Sequence, residues 1–291
     1  LLAAGLLVAV MIGLACVSRP VSDNDVWLHM AVGRWVVEHK AVPHADVFSC
    51  TIPGKPWVPH EWLAEVALYG AERAGGMAVV RALNVTLFAV FAVALGWLVW
   101  RRFPRSIVLP LLIFCYGLHL AEVRFNWRPE VLSIPILVVL TGRLLLRAPG
   151  EPPSWRECAA WWIVIALWAN MHGMVYLGVG LVGVYVVAAW GLFLVRARLG
   201  EGAAVLADGV AMRRWTALFL GMLGAAFLVP EGWAMLGHAW DIFARSGSAK
   251  YPVREWTPGI TVLAAWAQHA LDVLTLSALP RAEDLFQLLF I

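Results

Sequence analysis

Charge is what this sequence has least of. Only 14% of its 291 residues are Asp, Glu, Lys or Arg, against 62% that are hydrophobic, and the mean hydropathy is +0.77. An ordinary soluble domain carries roughly 25% charged residues, so the composition excludes a water-soluble globule. Cysteine is sparse as well. Its four scattered residues exclude a disulfide-stapled secreted domain and a cysteine-based structural zinc site. A net charge of only +3, spread along the chain, lacks the basic clustering that nucleic acid requires, so no nucleic-acid partner is expected.

Apolar runs are plentiful. Blocks of roughly 17 to 25 residues can cross the hydrocarbon as helices, where the backbone bonds itself. Seven candidates stand out, at residues 1–17, 77–100, 106–123, 130–146, 158–170, 174–195 and 215–230. The predicted fold class is an all-α polytopic membrane protein of about seven transmembrane helices. Residues 1–230 form the membrane domain, and 231–291 form an outer interfacial segment leading into a further span. The chain begins at Leu1 without a Met and closes on an apolar run at 285–291, so it reads as a piece of a longer protein.

Arginine sets the orientation. Arg101, Arg102, Arg105, Arg143, Arg147, Arg156, Arg196, Arg198, Arg213 and Arg214 fall in alternate connections, while the short connections between hold Arg124 and Arg128. The Arg-rich side is expected to be cytoplasmic. Residues 18–76, the loop 124–130, the turn at His172 and everything after Pro230 then face outward, together with most of the carboxylates.

The segment 18–76 is too long for a simple connector. Two interfacial helices are predicted in it, at 24–39 and 60–74, around a Pro-rich turn. Ser22 or Asp23 suits the N-cap of the first, Arg34 and Glu38 form an i,i+4 pair, and Asp25 and His29 share a face. On the second, Glu61 and Glu65 share a face and repel, so either an Arg, a Lys or a metal ion faces them or they form a solvated surface. The string His60-Glu61-Trp62-Leu63-Ala64 lacks the second His of a zinc-protease helix.

The order Asp23-Asn24-Asp25-Val26-Trp27-Leu28-His29, Gly33-Arg34-Trp35, Val42-Pro43, Asp46-Val47-Phe48-Ser49, Gly54-Lys55-Pro56-Trp57 and Glu61-Trp62-Leu63-Ala64-Glu65 resembles the first periplasmic loop of bacterial GT-C membrane glycosyltransferases. The likeness is closest to the protein-mannosyltransferase-like members. Arg128-Pro129-Glu130, Trp168-Ala169-Asn170-Met171-His172-Gly173 and Arg254-Glu255-Trp256-Thr257-Pro258 fit the same pattern.

The resemblance implies a multi-pass enzyme of the bacterial inner membrane with a periplasmic catalytic face. Such an enzyme transfers a hexose from a polyprenyl phosphate to an acceptor. Asp25 is then the base, or else Asp23. The Asp-x-Asp spacing resembles oligosaccharyltransferases rather than the adjacent Asp-Glu of protein mannosyltransferases, which leaves open a divalent cation, Mg or Mn, at Asp23 and Asp25. Expected partners are the lipid-linked sugar, membrane lipid, and other proteins of a membrane complex. A non-catalytic GT-C-like subunit of such a complex is the alternative.

The residues supply a chemistry for that activity. Inverting transfer from a lipid phosphate needs a base for the acceptor hydroxyl and cations for the leaving phosphate. The helix dipole favours a negative charge on Asp25 near the N-terminus, and His29 is placed to orient it. Arg124 and Arg128 either clamp phosphate or reach lipid headgroups. His172 either meets phosphate or acceptor or is satisfied inside the bundle. Glu61 and Glu65 are candidates for substrate binding, and Arg254 and Glu255 join them on resemblance alone.

Overall fold

The structure, a computed structural model, describes residues 10–11, 14, 24–122, 124–125, 127–148, 151–199, 209–235, 237–238 and 240–241. The chain divides into two compact units, Leu1–Met235 and Leu236–Ile291. Most of the expected span 1–17, Asp23, Arg254, Glu255 and the terminal apolar run at 285–291 lie outside the described residues.

Seven helices make up the described part of the first unit: α1 Asp25–His39, α2 Trp62–Arg102, α3 Val108–Glu122, α4 Glu130–Leu145, α5 Trp155–Ala169, α6 Val175–Leu199 and α7 Gly209–Ala225. No strand occurs among the described residues. Local chemistry explains several boundaries. In α1, Asp25 occupies the first turn, where a negative charge suits the helix dipole, and Arg34 Nε lies 2.7 Å from Glu38 Oε1 as the i,i+4 spacing requires. Asn24 holds the N-cap position, in place of Ser22 or Asp23, and makes no side-chain cap bond. Ser154 caps α5 by accepting the Glu157 N–H.

The expectation of about seven membrane spans is corrected by these lengths. Among the described residues, α2 is the one helix long and apolar enough to cross a membrane. Helices α3, α4, α5 and α7 have 15, 16, 15 and 17 residues. At a rise of about 1.5 Å per residue they fall short of a hydrocarbon core roughly 30 Å thick. The apolar stretch of α6 runs only from Val175 to Gly191. Apolar runs therefore overstated the number of helices long and apolar enough to cross. The membrane assignment rests on α2.

The second loop helix, expected at 60–74, and the span at 77–100 form one element broken at a kink. Gly75 is extended, and Gly76 adopts φ 66° with ψ −161°, a conformation open essentially to glycine alone. The N-terminal arm of α2 carries Glu65, and the longer apolar arm follows the kink.

Helix α1 lies against the N-terminal arm of α2. Gly33 makes this approach close: a Cβ there would sit 2.1 Å from the Glu65 carbonyl oxygen, which is backbone and cannot swing away. Gly33→Ala is therefore expected to force the helices apart and cost about 2 kcal/mol. A denaturation midpoint in detergent equal to that of the parent would contradict this packing.

Two larger clusters fill the rest. Helix α2 packs on α3 and α4 around Phe88, Phe91, Phe114 and Phe125, while α5, α6 and α7 enclose Ile165, Trp168, Val182 and Met222. Trp168 is fully buried, and its indole N–H donates to the buried Ser133 hydroxyl at 2.7 Å, which satisfies both polar groups.

Candidate functional site

The loop after α3 is anchored from two sides. The Asn84 side-chain amide, buried on α2, donates to the Phe125 carbonyl at 2.9 Å. Trp127 then adopts a left-handed backbone with φ 69° and buries its ring among Val26, Met30, Leu68 and Val80. Such a conformation costs a non-glycine residue about 1–2 kcal/mol, which burial of a large indole offsets. The next residue, Arg128, is thereby held with Nη2 at 3.0 Å from Asp25 Oδ2. Two residues far apart in sequence thus meet as an ion pair. The other loop arginine is turned elsewhere, with Arg124 Nη1 3.9 Å from Glu130 Oε1.

A second constellation forms where α1, the start of α2 and the turn after α5 converge. His29 Nδ1 lies 2.9 Å from Glu65 Oε1 and 3.8 Å from Glu61 Oε2. Because a carboxylate only accepts, the His29 N–H donates to Glu65. Glu61 Oε1 is approached by His172 Nε2 at 3.2 Å and by His60 Nε2 at 3.5 Å. The repelling carboxylates at i,i+4 are therefore faced by imidazoles.

Asn170 fixes the geometry of that turn. Its carbonyl accepts the Leu63 N–H at 3.1 Å and its side-chain oxygen accepts the Trp62 indole N–H at 2.8 Å, while Nδ2 donates to the Ala166 and Leu228 carbonyls. The start of α2 is thus tied to the end of α5, which places His172 opposite Glu61. The Met174 N–H donates to His172 Nδ1 at 3.1 Å. The ring proton must then sit on Nε2, which faces Glu61 Oε1 at 3.2 Å.

The histidines titrate differently because their partners differ. Burial lowers His172, and the charges on His60 and His29 add to that; Glu61 opposes it, and the result is a pKa of about 4, so His172 is neutral at pH 7. Burial also acts against His29, but its bond to Glu65 and the charges of Glu61, Glu65 and Asp25 outweigh it and raise the pKa above its ordinary value. His60 is raised too: burial is overcome by Glu61 and by the Val58 carbonyl, which accepts from its Nδ1. Glu61 is held below its ordinary value, since its histidine partners outweigh burial.

The structure therefore brings Asp25 together with Arg128, and His29 with Glu61, Glu65 and His172. Asp25 faces the Arg128 guanidinium, and Asp23, the other residue at which the resemblance leaves open a divalent cation, lies outside the described residues. Among the described residues, the side chains able to hold a metal ion together are His29, Glu61 and Glu65, whose ligand atoms lie within 4.8 Å of one another. Sequence reasoning missed His60 as a member of this cluster, because it was weighed only as part of a zinc-protease motif. It also missed Asn170 as the clamp. Comparison of the chain with known protein families, with curated proteins and with solved structures finds no match.

Proposed function

We propose that this chain is a membrane glycosyltransferase that passes a sugar from a polyprenyl phosphate to a hydroxyl acceptor at the outer face of a bacterial inner membrane. One observation carries the reading: Arg128 stands between a carboxylate and a greasy cleft. On one side it pairs with Asp25 at 3.0 Å; on the other it lines a cleft of about 110 Å³ walled by Leu68, Val80, Leu87, Trp127 and Leu132. A polyprenyl phosphate has the same order of parts, an apolar tail ending in an anion beside the reacting sugar.

In this reading isoprenoid carbon occupies the cleft and the Arg128 guanidinium turns a second donor pair to the phosphate oxygens. Charge on the leaving phosphate is then met by a cation already in place. Asp25, exposed at the N-terminus of α1, takes the proton of the acceptor hydroxyl.

The test uses radiolabelled polyprenyl-phosphate sugars and detergent-purified protein. Asp25→Asn is expected to lower transfer about 100-fold, the lower end for loss of a general base. Unchanged transfer would remove Asp25 from that role. The Asp25–Arg128 pairing also fits a second reading, a non-catalytic subunit in which the two residues serve only to hold α1 to the loop. That reading expects no transfer by the parent protein and co-purification with other membrane proteins at fixed stoichiometry.

A further inference from the structure

We propose that His29, Glu61 and Glu65 form a binding site for one divalent first-row transition-metal ion, zinc being the ion that suits the donor set best. The proposal stands on the geometry of the cluster and does not depend on glycosyl transfer.

The donors already sit at coordination spacing. With metal–ligand bonds of about 2.1 Å, tetrahedral ligands lie about 3.4 Å apart. His29 Nδ1 is 2.9 Å from Glu65 Oε1 and 3.8 Å from Glu61 Oε2, on either side of that figure, and all three ligand atoms fall within 4.8 Å of one another. An ion seated between them replaces the single proton that His29 now shares with Glu65. Three protein ligands leave at least one position for water or substrate, the arrangement of catalytic zinc.

A second observation points independently to a ligand. The Glu65 side chain is 4% exposed, and its Oε2 has no hydrogen-bond partner among the described residues. A buried carboxylate oxygen without a partner is costly, and a cation is the group that satisfies it.

The surroundings are those of a metal ligand shell. Glu61 receives the metal through Oε2 because Oε1 is held from behind by His172 and His60, at 3.2 and 3.5 Å. The hydrogen bond from His60 is of the kind that orients a ligating carboxylate. One imidazole with two carboxylates favours zinc, iron or manganese over magnesium, which prefers oxygen and water alone. The loaded site would staple α1 to α2, one helical turn from Asp25.

The experiment measures binding of zinc ion to the purified, chelator-treated chain by calorimetry and elemental analysis, with magnesium ion as the comparison. The expected result is one zinc per chain, a denaturation midpoint that rises with zinc and not with magnesium, and at least tenfold weaker zinc binding in both His29→Gln and Glu65→Gln. X-ray absorption of the zinc-loaded protein should show a nitrogen and oxygen shell containing one imidazole. Absence of stoichiometric zinc in the folded parent would overturn the proposal. So would full zinc affinity in folded His29→Gln and Glu65→Gln, or a magnesium response equal to that of zinc. Should either variant fail to fold, the absorption spectrum of the parent decides: a shell with sulfur or with several imidazoles places the ion elsewhere and refutes the site.

Discussion

Glu61→Ala is expected to lower the stability of the folded chain by about 3–5 kcal/mol, the cost of removing one partner from a buried charged pair. Glu61 is 15% exposed and is faced by His172 at 3.2 Å, His60 at 3.5 Å and His29 at 3.8 Å. Its loss leaves His60 without its hydrogen-bond partner and nearest counter-ion, and His29 without one of the two carboxylates it faces. His60 Nδ1 is already committed to the Val58 carbonyl, so the ring cannot turn to another partner without giving up that bond. Glu61→Gln isolates the charge, because the amide oxygen can still accept from His60 while the carboxylate charge is gone. Its effect should depend on pH. His29 and His60 have raised folded pKa values, so the stability they draw from the carboxylates is fully present below their ordinary 6.5 and is lost as pH rises through the folded values. Glu61→Gln should accordingly cost more near about pH 6 than near about pH 9. Denaturation in detergent at both pH values checks this. An equal cost at both would show that His29 and His60 carry no charge in the folded state.

The sequence showed this cluster only in outline. Two carboxylates at i,i+4 already required something positive, because like charges on one helix face repel. The histidines that answer them come from three separate segments, and one-dimensional spacing does not reveal that His29, His60 and His172 converge. The meeting of Asp25 with Arg128 was half visible, since both were candidates on the same side of the chain. What joins them is the left-handed backbone at Trp127, an outlier that composition does not announce. Helix content was legible and span length was not. Apolarity counted residues such as 158–170 as a crossing, yet α5 is bounded by the Ser154 cap and the Asn170 turn, which fix it at 15 residues. Gly75 and Gly76 read as the boundary between a loop helix and a span, and the structure makes them a kink within one helix.

His172 is expected to contribute about 3 kcal/mol to stability above pH 6.5 and to lose that contribution as pH falls toward 4, from a separation of about 2.5 pKa units at 1.36 kcal/mol each. The direction follows from which state takes up the proton. Unfolded His172 protonates near its ordinary 6.5, while the folded ring, buried and set beside two other imidazoles, resists until about 4. Within this window the unfolded state binds more protons, so acid favours unfolding. His29, His60 and Glu61 do not mimic the effect. His29 and His60, raised, have reached their full contribution by pH 6.5, and Glu61, lowered, loses its own only as pH falls below 4.5. Comparing the parent with His172→Gln removes the groups that do not interact with the ring, so the difference between their stability curves reports the ring together with its coupling to Glu61, His60 and His29. The two curves should converge between about pH 6.5 and pH 4, and histidine NMR should show one ring still neutral through most of that range. Parallel curves, or a His172 ring that titrates near 6.5, would mean that the turn after α5 leaves the ring open to water.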